Sequence, residues 1–307
     1  MYGIEGLLAG RTLGERYRID AVIGRGGMGA VYRATDERLG RAVAVKVIAA
    51  STSDPDEISR LRARFHREAR AAASLHHPNV VDVYDFGADA ALGLDYIVME
   101  LLRGEDLASR LQRGTLPSRR MALTVLREAA RGLAAGHRAG LVHRDVKPGN
   151  LFLEVGDHPD EPHVRVLDFG IAQVIGDEGA VTRLTEHGRA PFSPAYASPE
   201  QFLGEVHLAP SSDVFSLAAV GYQLLTGRRC FTADDPTKMM MEVSASVMSL
   251  DRTAPDLSPP LRQALVRALS RRPADRFRDA AEFAEALGTR VGPAPQPHAP
   301  APRAAPS

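Results

Sequence analysis

His143-Arg144-Asp145-Val146-Lys147-Pro148-Gly149-Asn150 places a carboxylate, an ammonium and an amide in one short loop held by a proline. Such a loop can supply a base, a phosphate contact and a metal ligand together. A plain polar surface loop has no need of that combination. Further along, Val164 to Leu167 reads as a strand that ends on Asp168-Phe169-Gly170. An aspartate at a strand end can hold Mg2+, and the glycine lets the chain turn away. Alone the tripeptide would mean only a turn. Its order and distance after the first loop give it weight.

Upstream, Gly24-Arg25-Gly26-Gly27-Met28-Gly29 matches G-x-G-x-x-G. Dinucleotide-binding folds share that spacing, but they need a helix after the glycines so that its N-terminus can take the pyrophosphate. Here Ala30-Val31-Tyr32-Arg33-Ala34 is strand-like, which favours a strand–glycine loop–strand flap over phosphates and argues against a nicotinamide-dependent oxidoreductase. Lys46 lies in the apolar strand Ala42 to Ile48, so it is either a solvated edge or a buried charge that needs partners. Glu68, on the helix that follows, is a candidate partner.

Outward from these motifs, Arg16 to Glu100 is mostly strand, at Tyr17–Ile23, Ala30–Ala34, Ala42–Ile48, Val80–Phe86 and Leu94–Glu100, with one helix from about Glu57 to Leu75. Pro55 and the acids Asp56 and Glu57 suit its start, and Pro78 marks its end. After Gly104 the texture turns helical, at Ser118–Ala139, Ser212–Thr226, Ser258–Ser270 and Asp279–Leu287. The expectation is an α+β fold of two lobes, a small β-rich lobe with one main helix and a larger, mainly helical one. Residues 1–13 form an extension, 14–101 the N-lobe, 102–288 the C-lobe and 289–307 a disordered Pro/Ala-rich tail.

Lys plus Arg and Asp plus Glu both number 38, so no net basic charge argues for a nucleic-acid partner. The single cysteine, Cys230, excludes an internal disulfide, and no Cys/His cluster has zinc-ligand spacing. Both facts fit a reducing cytoplasm. Met1 to Arg11 lacks a basic start followed by an apolar run, so no signal peptide is expected. Val214 to Gly227 is uncharged but, at about 14 residues, too short to span a bilayer.

Gly24 to Val31, Val43 to Lys46, His143 to Asn150, Asp168 to Gly170 and Ser198-Pro199-Glu200 resemble, in order, the signatures of the eukaryotic-like protein kinase family, especially its bacterial serine/threonine branch. The resemblance covers about residues 14 to 288. It implies transfer of the γ-phosphoryl of ATP to protein Ser/Thr hydroxyls, with Mg2+ and, as an alternative, Mn2+. It implies that Ile23 to Gly29, including Arg25, Gly27 and Met28, cover the phosphates, with Gly24, Gly26 and Gly29 shaping the loop. Lys46 would contact the α- and β-phosphates and pair with Glu68 in the active state. Val31, Ala44 and Phe152 would sandwich the adenine, Met99 would stand at the back of its pocket, and Glu100 to Leu102 would be the hinge.

By the same resemblance Asp145 would accept the substrate proton, Lys147 would contact the γ-phosphate, and Asn150 and Asp168 would hold the metal. Glu200 would pair with Arg276, and Asp213 would anchor the catalytic loop. Thr182 and Thr185 would be autophosphorylation sites whose phosphates dock on Arg144 and present Ser193, with a transient homodimer for reaction in trans. The chain departs from the pattern at Phe192-Ser193, at Ser198 and at Ala218, which touches substrate preference and removes no catalytic group. A pseudokinase scaffold would lack Lys46, Asp145, Asn150 or Asp168, and all four are present. A small-molecule kinase of similar fold usually lacks a long segment such as Ile171 to Glu200.

Overall fold

The computed structural model describes residues 8–288 apart from 27–28, 50–54, 90, 115, 157–161, 170–193, 206, 233–237, 239–240, 243–249 and 251–256. Gly27, Met28, Gly170, Thr182, Thr185, Phe192, Ser193 and the Pro/Ala-rich tail therefore lie outside the described residues. Six antiparallel strands form the first sheet: β1 (Thr12–Leu13), β2 (Tyr17–Gly26), β3 (Gly29–Asp36), β4 (Arg41–Ala49), β5 (Val83–Asp89) and β6 (Leu94–Met99), in the order β1-β2-β3-β4-β6-β5. Helix α1 (Pro55–Ala73) lies on one of its faces.

Strand parity in β4 organises this lobe. Val43, Val45 and Val47 enter an apolar cluster with Tyr17, Tyr32 and Tyr96. Ala44 and Ile48 enter the opposite one, against Phe65 and Ala72 of α1. Lys46 shares the parity of Ala44 and Ile48, so its ammonium stands on the α1 side. The flap glycine Gly29 has φ +146°, and a Cβ there would lie 2.0 Å from the Val47 carbonyl oxygen. Glycine is thus needed at 29 for strand packing as well as for any ligand.

A second sheet, β7 (Gly104–Asp106), β8 (Leu151–Glu154) and β9 (His163–Val166), forms the floor beneath the first. Around it lie α2 (Leu107–Gln112), α3 (Arg119–Arg138), α4 (Pro199–Phe202), α5 (Pro210–Thr226), α6 (Pro259–Ala268) and α7 (Ala280–Ala286). One large core joins α3, α5, α6 and α7. Among the described residues no helix is long and apolar enough to cross a membrane.

The expected strand from Val80 begins only at Val83. Val80 forms an isolated parallel bridge with Val166 of β9 instead. Val81 donates to the Val166 carbonyl at 3.1 Å, and Val166 donates to that of Asn79 at 2.9 Å. The Asn79 amide in turn donates to the Val164 carbonyl and to Glu128, at 2.9 and 3.0 Å. These bonds tie the loop after α1 to the helical lobe, so its backbone groups are satisfied there and not in the first sheet.

Candidate active site

The loop 143–150 is held from below by α5. Asp213, buried in that helix, accepts from the His143 and Arg144 amides, both at 2.7 Å. His137 of α3 bonds the same carboxylate at 2.8 Å through Nε2, while its Nδ1 accepts from the Ala280 amide at 3.2 Å. Nδ1 is an acceptor, so Nε2 carries the proton and donates. Burial pushes the Asp213 carboxyl up, but the His137 bond, His143 and the loop amides outweigh it and hold the group below the ordinary range.

Arg144 has φ +68°, a left-handed conformation that costs a non-glycine residue about 1–2 kcal/mol. Asp213 secures its amide, and the Gln201 side chain donates to its carbonyl at 2.6 Å. The Gln201 carbonyl oxygen accepts from the Ser198 amide at 2.9 Å, capping α4. The departure from alanine at Ser198 therefore sits at a helix N-cap, where serine is favoured.

Within the loop, Asp145 Oδ2 accepts from Lys147 Nζ at 2.6 Å and from the Asn150 amide at 3.2 Å. The same amide nitrogen donates to the Asp145 carbonyl at 2.7 Å. That fixes the orientation of the Asn150 amide and leaves its Oδ1 as a ligand atom. Leu167 donates to the Asn150 carbonyl at 2.9 Å, so the loop and the end of β9 move as one. His143 Nδ1 accepts from the Asp145 amide, and Nε2 donates to the Leu167 carbonyl at 2.7 Å.

Asp168 also has positive φ, +58°. Its Oδ2 accepts from Lys46 Nζ at 2.6 Å. Burial would raise its carboxyl, but the Lys46 charge and hydrogen bond, with His143 and Lys147, hold it below the ordinary range. Glu68 is not brought to Lys46. Its Oε1 faces Arg64 at 3.5 Å, and its Oε2 is buried without a hydrogen-bond partner. The physical reason is competition. Lys46 is taken by Asp168, while Arg64, Arg144 and Arg67 supply the positive field around Glu68. Desolvation nevertheless dominates and raises the Glu68 carboxyl.

Val31, Ala44, Met99 and Leu102 fall in one apolar cluster with Leu101 and Leu167. Phe152 stands on β8 beside Arg165 of β9, and Ile23 is exposed at the flap. Glu200 and Arg276 form a buried two-pronged pair at 2.6 and 2.8 Å, joined by Ser212 Oγ at 2.7 Å. His137, Gln201, Ser212 and the ion pair between Arg165 and Glu100 escaped sequence reasoning. Gln201 follows Ser198 at capping-box spacing, a local signal that could have found it. The others carry none, because each finds its partner 12 to 76 positions away.

Residues 17–287 match the protein kinase domain model. The chain belongs to the protein kinase family. It is 40% identical over 307 residues to the serine/threonine-protein kinase PknA of Mycobacterium tuberculosis, covering 97% of this chain and 67% of that one. It is 38% identical to the serine/threonine-protein kinase pkn3 of Myxococcus xanthus, covering 89% of this chain and 50% of that one. The crystal structure of the Mycobacterium tuberculosis PknI kinase domain aligns with a TM-score of 0.68 at 28% identity, covering 91% of this chain and 98% of that one. Within the family the chain is a serine/threonine protein kinase enzyme of the eukaryotic-like bacterial branch. The family implies ATP and a divalent metal. The donors that Asn150 and Asp168 offer are oxygens, which fit a hard cation.

Proposed function

We propose that this chain transfers the γ-phosphoryl of Mg-ATP to Ser/Thr hydroxyls of proteins, with Asp145 taking the proton. The observation that carries the reading is the asymmetric use of the Asp145 carboxylate. Lys147 and Asn150 hold Oδ2, while no described residue donates to Oδ1. Oδ1 accepts the hydroxyl proton, and Lys147 balances charge beside it. Lys46 holds the α- and β-phosphates beneath the flap Gly24 to Gly29. Val31, Ala44, Phe152 and Met99 enclose the adenine against the hinge at Glu100 and Leu102. Asn150 and Asp168 hold Mg2+, with Mn2+ as an alternative. The bound cation supplies compensation for charge spread over the phosphate oxygens.

We assign residues 14–101 and 102–288 to the two lobes, supported by the passage from the six-stranded sheet, which ends at Met99, to helix from Leu107, with β1 and the buried Leu8 adding part of the extension to the first lobe. We also propose autophosphorylation at Thr182 or Thr185 through a transient homodimer, docking on Arg144 and presenting Ser193. The left-handed Arg144 backbone, pinned at both its amide and its carbonyl, supports a fixed docking point. A cytoplasmic location is supported by the single cysteine, Cys230, which leaves no internal disulfide to form.

The test is Asp145→Asn. Peptide phosphorylation falls by ~10²–10⁴ while Mg-ATP still raises the melting temperature. Turnover at the wild-type rate would end the assignment. Intact mass of protein made with Asp145 and with Asp145→Asn reads the phosphothreonines. Unmodified threonines in an active enzyme would end that part.

A further inference from the structure

We infer that Arg165, on β9, is a positioning residue that sets the hinge for nucleotide binding. This rests on the nucleotide reading above and adds to it a residue in none of the recognised motifs. Arg165 is directly paired with Phe152 across the β8–β9 ladder, so the two side chains share a sheet face. Leu167, two residues on, keeps the same parity and packs in the apolar cluster that holds Ala44, Met99 and Leu102. The Arg165 side chain therefore rises beside the adenine-lining residues. It is 11% exposed, and its Nη2 donates to Glu100 Oε2 at the start of the hinge. Nη1 lies 3.8 Å from Glu154 of β8.

Glu100 is then tethered twice. Its amide donates to the Asp82 carbonyl at 3.0 Å, and its carboxylate is gripped by Arg165. The Asp82 bond comes from the N-lobe and the Arg165 bond from the C-lobe, so the hinge is held between them. Three residues after Arg165, and two beyond the end of β9, the chain reaches Asp168. The strand and its exit thus set both ends of the nucleotide site, the hinge through a guanidinium and the metal end through a carboxylate. Loss of Arg165 leaves Glu100 on its backbone bond to Asp82, and nucleotide binding then has to order that end of the hinge.

The experiment compares wild type, Arg165→Met, Arg165→Lys, Glu100→Gln and the double variant Arg165→Met/Glu100→Gln. Equilibrium binding of a fluorescent ATP analogue, peptide-kinase kinetics and melting temperature are read for each. In Arg165→Met the analogue Kd and the KM for ATP rise about tenfold, the size of one charge-assisted hydrogen bond, while kcat stays within about twofold. Arg165→Lys keeps the charge, loses the planar fork and falls between. Glu100→Gln moves both constants in the same direction, and the double variant binds no more weakly than Arg165→Met to within about threefold.

Wild-type Kd and KM in Arg165→Met would overturn the inference. So would fully additive losses in the double variant. If Arg165→Met does not fold, Arg165→Lys and Glu100→Gln decide, and wild-type Kd and KM in both would overturn the inference. The kinase reading is tested apart from this, because wild type that binds the analogue but transfers no phosphoryl defeats that reading alone.

Discussion

Lys46 donates to Asp168 at 2.6 Å, and Glu68 is turned instead to Arg64 at 3.5 Å. The ammonium has two carboxylates to choose from. The two carboxylates are equally exposed, but Glu68 already stands in the field of Arg64, Arg144 and Arg67, so the lysine gains more at Asp168. Glu68 has three arginines about it and keeps one oxygen buried and unbonded. An unsatisfied buried acceptor is costly, so this arrangement of α1 is one the protein can leave at modest expense.

Double-mutant cycles should therefore give different partners in different measurements. For unfolding of the protein without nucleotide, Lys46→Met and Asp168→Asn couple by about 0.5–3 kcal/mol, and Lys46→Met with Glu68→Ala couples by about zero. For phosphoryl transfer, the double variant of Lys46 and Glu68 is no slower than Lys46→Met alone. Additive losses of turnover would show that Glu68 never acts through Lys46.

Arg276 is almost wholly buried and meets both oxygens of Glu200, with the Ser270, Ser211 and Arg271 carbonyls taking its other protons. Removing one member leaves an uncompensated buried charge. Arg276→Ala should lower unfolding free energy by about 3–5 kcal/mol, and replacing both members by apolar residues should cost less than the two single changes summed. Denaturant titration measures this. A loss under about 1 kcal/mol for Arg276→Ala would contradict it.

The acid limb of stability should be steep. Asp168, Asp213 and Glu200 all sit below their ordinary values of 3.8, 3.8 and 4.5 when folded. Burial opposes the shift in each case, and Lys46, His137 and Arg276 respectively overcome it. The unfolded chain then binds protons first, so their stabilisation is complete above those ordinary values and is lost as pH falls through the folded ones. Glu68, raised by desolvation, works in the opposite sense and regains stability on protonation. Three groups against one give a net loss that sets in as pH falls below the ordinary carboxylate values and continues through the lower folded ones. Glu200→Gln is less stable at neutral pH and has a shallower acid limb. A limb parallel to wild type would refute the Glu200 contribution.

Gly136 lies inside α3, where glycine costs about 1 kcal/mol relative to alanine. A Cβ there would fall 2.2 Å from Phe169 Cε1, which explains the glycine by close approach. Gly136→Ala should push Phe169 toward the small cavity it borders with Ala72, Leu75 and Val80, carrying Asp168 with it. We expect kcat to fall and the apparent affinity for Mg2+ to weaken, in spite of the gain in helix propensity. Unchanged metal dependence in steady-state kinetics would show that Phe169 has room to yield.

The sequence by itself determined the elements and the chemistry that sits close in the chain. The apolar, β-branched run around Lys46 defined β4, and the 3.6-residue period of Leu123, Leu126, Ala130 and Leu133 defined α3, because residue type and local spacing carry both. The crowding of Asp145, Lys147 and Asn150 into one loop was legible because all three lie within six consecutive residues. Only the tertiary structure decided which partner each charge takes. Lys46 and Asp168 are 122 positions apart, His137 and Asp213 are 76 apart, and Arg165 and Glu100 are 65 apart. Electrostatic pairing depends on distance and desolvation in space, and neither is written in the spacing along the chain. The strand expected from Val80 failed for the same reason. Its β-branched residues suit a ladder, but β9 of the other lobe, and not the first sheet, supplies the partner.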